Sequence, residues 1–456
     1  MIRRPLVLAL ALALPASALV GTAGAADLMQ TYELARNGDP QLSAAESGRL
    51  AQKEGAVQAR AALLPQVNGS ASLGRSKSQP EGGAWSDTRT SRGYDLNLSQ
   101  SVLDFSRYST LRGQRALSQA ADFNLEAAND SLITRTSAAY FNVLVAIETL
   151  AAAEAAETAF GRQFDYAQKR LDVGLAPITD VHEARAQFDS ARAKVITSRN
   201  ALKDNYEALT EITGQPVSNL KGLPDDFRPQ LPSDYSADGW VETAVAQNPA
   251  LKSIEYQVQS ADAGVASARA GHLPTLSLGA NYGRDAVWGP SIGTGGISSD
   301  GRSQSIGLTL NVPIFAGGAT QSRVRQALAN RDSAQDGYEQ QKRAVVRNTR
   351  NAYQTLEAGI SEIEARRLAL VSANAAYEAS QVGLEVGTRT VLDVLVNQQN
   401  LFQARQSYSL AKYNYLQNRL LLEQAAGTLE TSDVQDINRL LTVDAEAQLA
   451  PGSSNQ

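Results

Sequence analysis

Apolar residues along the chain follow two periods in turn, first a helical one and then a period of two. In residues 28–62, and again in residues 237–271, Leu and Val recur at three- and four-residue intervals, which predicts a helix of about 30 residues in each segment. A Leu-Pro pair ends each segment, at Pro65 and at Pro274, because proline disfavours helical geometry in the residue before it. Alternation of apolar and polar residues follows both pairs and predicts β-strands.

Four such strands are predicted, arranged as two hairpins, and each is about ten residues long. Glycine-rich stretches connect the two strands of each hairpin, residues 74–93 with Trp85 and residues 283–302. The alternate positions are Ser, Asn, Thr, Gly and Asp, which suit water. The apolar positions are Val67, Ala71, Leu73, Tyr94, Leu96, Leu98, Val102, Leu276, Leu278, Ala280, Tyr282, Ile306, Leu308, Leu310 and Val312.

These strands are compatible with two interpretations. A soluble sheet could place its apolar face on a core, but four strands leave two bare edges with nothing obvious to cover them. About ten alternating residues also match a tilted strand that crosses a bilayer. Single-chain membrane barrels have about eight strands or more, so the membrane interpretation requires several chains. On that interpretation, the residues expected to face lipid are Tyr94, Leu96, Leu98, Leu276, Leu278, Leu308 and Leu310.

A long segment without proline follows each hairpin, residues 106–172 and residues 320–386. At a rise of about 1.5 Å per residue, each would form a helix about 100 Å long. The apolar positions alternate between spacings of three and four, the coiled-coil period, so the helices should supercoil against partners. We expect Gly174 and Gly387 to cap these helices. Such long hairpins would also suit a structural rod. The return helices predicted after the caps span residues 179–212 and 391–426.

The two halves of the chain repeat one another. Tyr140 and Ile147 are matched 213 residues later by Tyr353 and Ile360. A repeat of this length indicates two copies of one structural unit rather than a short solenoid repeat. Two further matched pairs, 209 residues apart, are Asp39 with Asn248 and Pro40 with Pro249.

The repeat and the breaks in the pattern divide the chain into five segments. Residues 1–25 form a predicted export signal, since two arginines precede an apolar stretch and a small-residue cleavage site. That stretch is shorter than the roughly 20 residues of a membrane-spanning helix, and no later stretch is apolar enough. We expect disorder after about Leu441. The other segments are the first repeat (26–213), a linker or equatorial segment (214–239), the second repeat (240–427), and a C-terminal equatorial segment with a disordered tail (428–456).

Composition excludes several kinds of site. The chain has no cysteine, which excludes disulfides, thiolate metal sites and a lipid-modified N-terminal cysteine. Its two histidines, His182 and His272, lie in different repeats and are predicted to be surface residues. The formal net charge of −5 does not support a basic face for nucleic acid. We expect no metal, no cofactor and no catalytic site, because no phosphate loop, nucleophile elbow or paired-carboxylate spacing is present.

Several motifs resemble the TolC family of outer-membrane export ducts, over nearly the whole chain up to about Leu441. The resemblance implies a mainly α-helical fold with a membrane β-barrel portion. In it, a homotrimer would form one twelve-stranded β-barrel in the outer membrane and one α-helical barrel in the periplasm. It also implies export of solutes or proteins from an inner-membrane pump through a periplasmic adaptor. The motifs are Leu103 to Ser106, Val173 to Leu175, Ile178 to Val181, residues 386–395 and residues 412–416.

The resemblance further assigns residues to a gate at the periplasmic end of the duct. In the family, the turns that correspond to Gly174 and Gly387 lie at this end. Asp180, together with Thr179, and Arg389 match a polar link between neighbouring chains. Asp393 matches an aspartate that rings the constriction.

Two positions depart from the family's pattern, and spacing alone offers another interpretation. Leu384 replaces a tyrosine that would hydrogen bond near Asp180, and Val396 replaces a second ring aspartate. Thr390 and Asp393 have the spacing of a capping box, which stabilises the start of a helix. Acidic residues in a first helical turn are favoured by the helix dipole, and Asp180 fits that pattern too. Capping and gating are compatible roles.

The sequence is therefore compatible with two functions from different classes. The first is a passive trimeric channel in the outer membrane that extends into the periplasm. The second is a periplasmic coiled-coil adaptor or scaffold without membrane insertion. Such a protein does not need strands long enough to cross a bilayer. An enzyme ranks third, since the chain lacks a plausible catalytic constellation.

Overall fold

Two similar sets of elements follow one another in the computed structural model, which describes residues 27–77, 79, 83, 88–224, 226–231, 236–288 and 299–449. The predicted export signal and Trp85 lie outside the described residues. The first set is α1 (Leu28–Gly38), α2 (Pro40–Ala61), β1 (Gln66–Ser76), β2 (Arg89–Leu103), α3 (Phe105–Asp172) and α4 (Ile178–Thr213). After β3 (Lys221–Gly222), the second set is α5 (Ala237–Gln247), α6 (Pro249–Ala270), β4 (Thr275–Trp288), β5 (Ser299–Asn311), α7 (Ala319–Glu385) and α8 (Val391–Ala426). The chain continues with α9 (Thr431–Leu440), β6 (Val443–Asp444) and a short 3-10 helix (Glu446–Leu449).

Each set begins with two helices, so the prediction of one continuous helix in residues 28–62 and 237–271 is wrong. Asp39 separates α1 from α2, and Asn248 separates α5 from α6. Their side chains accept hydrogen bonds from the backbone N–H groups of the second helix, at 2.9 Å and 3.1 Å. A proline follows each of them, and proline interrupts a helix interior but fits the first turn of a new helix.

The long helices confirm the prediction made from the proline-free segments. α3 has 68 residues and α7 has 67, so each is about 100 Å long. The 36-residue helices α4 and α8 return beside them. α3 packs along α4, α7 packs along α8, and α3 also contacts α6 and α8 of the second set. No helix in the described part of the chain combines the length and the apolar character needed to cross a membrane.

The four long strands form one antiparallel sheet in the order β1, β2, β4, β5. Val67, Leu98 and Ala280 lie opposite one another on consecutive strands, and Asn97 lies opposite Asn281. Directly opposed residues of an antiparallel sheet point to the same face. Apolar positions therefore share one face of the sheet and polar positions share the other, as the alternation predicts.

The main apolar core lies where the linker and the C-terminal segment cross the long helices. Tyr140 and Leu416 are completely buried there. Tyr140 donates its hydroxyl hydrogen to the Lys221 carbonyl at 2.8 Å and accepts the Lys221 N–H at 2.9 Å. β3 pairs with β6, and the Ala445 N–H donates to the Leu220 carbonyl at 2.9 Å. The two segments thus hold each other against the middle of the helices.

This pairing corrects the prediction of disorder after about Leu441. Residues 442–449 include β6 and the 3-10 helix, because the linker provides a partner strand for β6. Residues 450–456 lie outside the described residues.

Candidate functional site at the ends of the helical hairpins

Two tight turns connect the long helices to their return helices, and both have the same construction. Gly174 has a φ of 73° and Gly387 a φ of 77°, which lie in the left-handed region that favours glycine. The Leu175 N–H donates to the Arg170 carbonyl at 2.7 Å, and the Gly174 N–H donates to the Leu171 carbonyl at 2.9 Å. This is the Schellman arrangement, and the turn at Gly387 repeats both hydrogen bonds. The structure therefore contains both predicted glycine caps.

The residues that the resemblance assigns to a polar link lie at these two turns. Thr179 is exposed and Asp180 is half-buried, both in the first turn of α4. Arg389 is exposed in the other turn and lies close to Gly383, where a Cβ would stand 2.6 Å from the arginine Cγ. Within the described part of one chain, no ion pair joins Arg389 to Asp180. The two residues thus lie at separate turns and do not pair with each other within the chain.

Asp393 forms the capping box that its spacing with Thr390 predicts. The Asp393 N–H donates to the Thr390 hydroxyl at 3.1 Å, and the Asp393 carboxylate accepts the Thr390 N–H and hydroxyl, both at 2.9 Å. These hydrogen bonds from Thr390, and then the nearby charge of Arg389, hold the pKa of the Asp393 carboxyl below its usual range. The carboxylate consequently stays ionised at neutral and mildly acidic pH.

An apolar cluster near the turns joins the two hairpins of one chain. It buries Phe160 of α3, Val181 of α4, and Val391 and Leu395 of α8, and Leu384 of α7 packs against it. This cluster is not predictable from the sequence pattern, because periodicity gives each helix an apolar stripe without showing which helices face each other. Leu384, at the position where the resemblance implies a tyrosine, thus makes an apolar contact within the chain.

The seven residues expected to face lipid share one face of the sheet. Leu308 and Leu310 keep 65% and 62% of their surface exposed, so no layer from the described part of the same chain covers them. On the opposite face, Asn281 donates a side-chain hydrogen bond to Asp95. The face with the polar side chains is the one suited to water. Leu96 lies opposite Tyr282 and Leu98 opposite Ala280, and these two β4 residues share a face with Leu276 and Leu278 by alternation. Leu276 and Leu278 in turn lie opposite Leu310 and Leu308 of β5.

The two histidines are both exposed, which confirms that His182 and His272 are surface residues. The part of the chain that the structure describes contains no group of three or more His, Cys, Asp or Glu residues arranged to hold a metal ion.

The two sets of elements match the family described as Outer membrane efflux protein, over residues 31–215 and again over residues 240–428. The chain belongs to this efflux protein family. Its members are channels rather than enzymes. The two matched segments together include α2 to α4, α6 to α8, both pairs of long strands and both turns described above.

Curated relatives of this efflux protein cover nearly its whole length. It is 36% identical over 435 residues to Outer membrane protein TolC of Vibrio cholerae serotype O1. The matched region covers 94% of this chain and 97% of the relative. It is 30% identical over 418 residues to Alkaline protease secretion protein AprF of Pseudomonas aeruginosa, which covers 90% of this chain and 86% of the relative. The protein is accordingly an outer-membrane channel-tunnel for efflux and secretion that extends into the periplasm.

Solved channels have the same fold. The Campylobacter jejuni CmeC outer membrane channel has a TM-score of 0.75 at 22% identity, with 91% of this chain and 89% of that chain covered. This similarity confirms the mainly α-helical fold with a β-barrel portion. Members of the family form trimeric channels that work with adaptor and inner-membrane pump partners.

Proposed function

We propose that three copies of this chain close one twelve-stranded β-barrel in the outer membrane and one α-helical tunnel below it. The observation that supports this most directly is the open sheet, since β1 and β5 have no strand partner on their outer sides within the described residues. Four strands are too few for a membrane barrel, whereas three sets of four are enough. Helices about 100 Å long likewise exceed what the core of one chain can cover.

The apolar face of the sheet is proposed as the surface that contacts outer-membrane lipid. Its alternation, its strand length and its exposed leucines all suit a lipid-facing barrel wall. The opposite face, with Asn281 and Asp95 among its residues, would then line a water-filled interior.

The periplasmic end is proposed to be closed by contacts between neighbouring chains at the hairpin turns. Arg389 of one chain would pair with Asp180, beside Thr179, of another chain. This assignment comes from the family resemblance, and it is supported by the exposed position of Arg389 and by the lack of an ion pair between these two residues within one chain. The apolar cluster that includes Leu384 would keep the two hairpins of each chain together while this end opens.

Asp393 is proposed to form the acidic ring of the constriction, once per chain. Rings of carboxylates favour cations and hold multivalent cations in channels. Val396 follows one turn later on α8 and is exposed, so a second acidic layer is missing and Asp393 would carry most of the effect. The capping box fixes the carboxylate at the start of α8.

The proposed partners are a periplasmic adaptor protein and an inner-membrane pump, with outer-membrane lipid around the barrel. A relative carries the name of an alkaline protease secretion protein, so export of a protein cargo is within the range of functions proposed here.

Membrane fractionation tests this function against the periplasmic scaffold considered above. A barrel should remain with outer membranes after washing with high salt and at alkaline pH, because its apolar face stays buried in lipid. Release of the protein into the wash, as a peripheral protein would be released, would contradict the proposal.

A further inference from the structure

The contact between the two halves of one chain is a template for the contact between chains. Inside the chain, β2 of the first set pairs with β4 of the second. In the proposed trimer, β5 of one chain would lie beside β1 of the next. Both are contacts between the second strand of one hairpin and the first strand of the following hairpin. Because the hairpins are copies of one unit, the two contacts should share one register.

The pairing within each hairpin shows how the copies correspond. Val67 lies opposite Leu98 in the first hairpin, and Leu276 lies opposite Leu310 in the second. Positions of β1 therefore correspond to positions of β4 that lie 209 residues later, and positions of β2 to positions of β5 that lie 212 residues later. The helix before each hairpin keeps the first spacing, since α2 begins at Pro40 and α6 at Pro249.

The register between the halves can now be transferred to the open edges. Leu98 lies opposite Ala280, and Asn97 lies opposite Asn281. Their counterparts at the edges are Leu310 with Ala71, and Thr309 with Ser72. Leu96 opposite Tyr282 gives Leu308 with Leu73 in the same way.

Resting on the trimer proposed above, we propose that β5 of one chain pairs with β1 of the next with Leu310 opposite Ala71, Thr309 opposite Ser72 and Leu308 opposite Leu73. The faces agree, because Leu310 and Ala71 both belong to the apolar face while Thr309 and Ser72 both belong to the polar face. A slip of one residue would set every apolar side chain against a polar one. A slip of two residues would keep the faces, so only the internal template selects the register.

Charged residues on the helices support the same transfer of the internal contact to the contact between neighbouring chains. Within the chain, Asp130 of α3 and Gln424 of α8 line one cavity between the two sets of helices. Their counterparts 213 residues away are Arg343 of α7 and Glu211 of α4, which would line the corresponding cavity between neighbouring chains. Both are exposed in the single chain, and they carry opposite charges. Opposite charges at corresponding positions favour this contact.

Cysteine pairs test the register, because the chain has no cysteine of its own. Opposed residues have Cβ atoms about 4.5–5.5 Å apart, and disulfides need about 3.5–4.5 Å. The Ser72→Cys, Thr309→Cys variant should therefore give a covalent trimer on denaturing electrophoresis after oxidation. Since hydrogen-bonded and non-hydrogen-bonded pairs alternate, the Ala71→Cys, Leu310→Cys variant covers the other geometry. The matched control is Ser70→Cys with Thr309→Cys, at about 7–8 Å, which should stay largely uncross-linked.

A disulfide within one chain cannot produce this signal, since β1 and β5 are three strand spacings apart, about 14 Å. The native mass of each variant in detergent separates the two possible failures. Three results at a trimeric mass would overturn the register and leave the trimer intact. They are cross-linking mainly in the Ser70 control pair, equal cross-linking in the control pair and the predicted pairs, and no cross-linking in any pair. A mass of one chain would overturn the proposed trimer itself.

Discussion

Asp393 caps its own helix, and the function proposed above gives the same carboxylate a second role in the channel. The capping box with Thr390 satisfies backbone groups at the start of α8 and holds the carboxylate in one place. Its lowered pKa keeps it charged under the conditions at which a cation filter would act. Capping and gating therefore make different demands on the side chain, since a cap needs an acceptor and a filter needs a charge.

Asp393→Asn separates these demands, because asparagine keeps the size and an acceptor oxygen while it deletes the charge. If Asp393 filters cations, trimer stability should stay nearly unchanged, while cation preference falls and block by a trivalent cation from the periplasmic side weakens. Reversal potentials and block in planar bilayers measure both effects. Unaltered selectivity and block would leave Asp393 with the capping role alone.

Arg389→Glu should open the periplasmic end. The substitution would place a carboxylate beside Asp180 of another chain, so attraction becomes repulsion at each of three contacts. One exposed ion pair contributes only about 0–1 kcal/mol, but threefold symmetry repeats the change. Single-channel conductance in planar bilayers should rise.

Arg405→Glu is the matched control, because Arg405 is also exposed and lies on α8 away from the turn. Its conductance should match that of the wild type. An intact Arg389→Glu trimer with unchanged conductance would remove Arg389 from the gate.

For single residues, the sequence predicts those features that depend only on residues nearby in the chain. The glycine caps and the Thr390–Asp393 box depend on a few consecutive residues, and the structure contains them. The cluster around Val181, Leu384 and Leu395 depends on how separate helices face each other, so spacing within one helix does not reveal it.

The same distinction applies to whole elements. The strands and long helices repeat one local signal many times, which makes them predictable from sequence. The break between α1 and α2, and that between α5 and α6, was not predicted because the apolar spacing continues across Asp39 and Asn248. The pairing of β3 with β6 was missed because the two segments are far apart in sequence, and two-residue strands carry no periodic signal.

The two faces of β2 should respond differently to one added charge. Arginine on the lipid face near the bilayer midplane costs about 2–4 kcal/mol, and a trimer incurs this cost three times. Leu98→Arg should therefore reduce insertion and trimer yield far more than Asn97→Arg, its neighbour on the polar face. The amount of heat-resistant trimer in outer membranes measures the difference. Equal yields from the two variants would contradict the assignment of the faces.

Glu423 of α8 should make stability depend on pH. Burial, with Asp433 nearby, raises the pKa of the Glu423 carboxyl to about 7. The unfolded chain has the ordinary pKa of about 4.3, so the stabilising contribution is complete below that pH and is lost as the pH rises through about 7. Glu423→Gln should thus raise stability at pH 8 by on the order of 1–3 kcal/mol and change it little at pH 4.

Melting temperatures at the two pH values measure this effect. Glu207→Gln, on the exposed surface of α4, is the control and should change neither value. An equal shift of the Glu423→Gln variant at both pH values would contradict the raised pKa.

On the scale of the whole molecule, the internal duplication shapes the assembly. One chain contains two similar units that contact each other through α3, α6 and α8 and through β2 and β4. The outer edges of the chain present the same kinds of surface again, so three chains would place six similar units around one axis. The duplication and the long helices are evident in the sequence, but the order of the strands and helices around that axis is not.

The native mass of the complex extracted from outer membranes in detergent tests this assembly most directly. We predict a mass of three mature chains, because twelve strands then close one barrel and leave no open edge. A complex of two chains, whose eight strands could also close, or a stable single chain would contradict the trimeric channel.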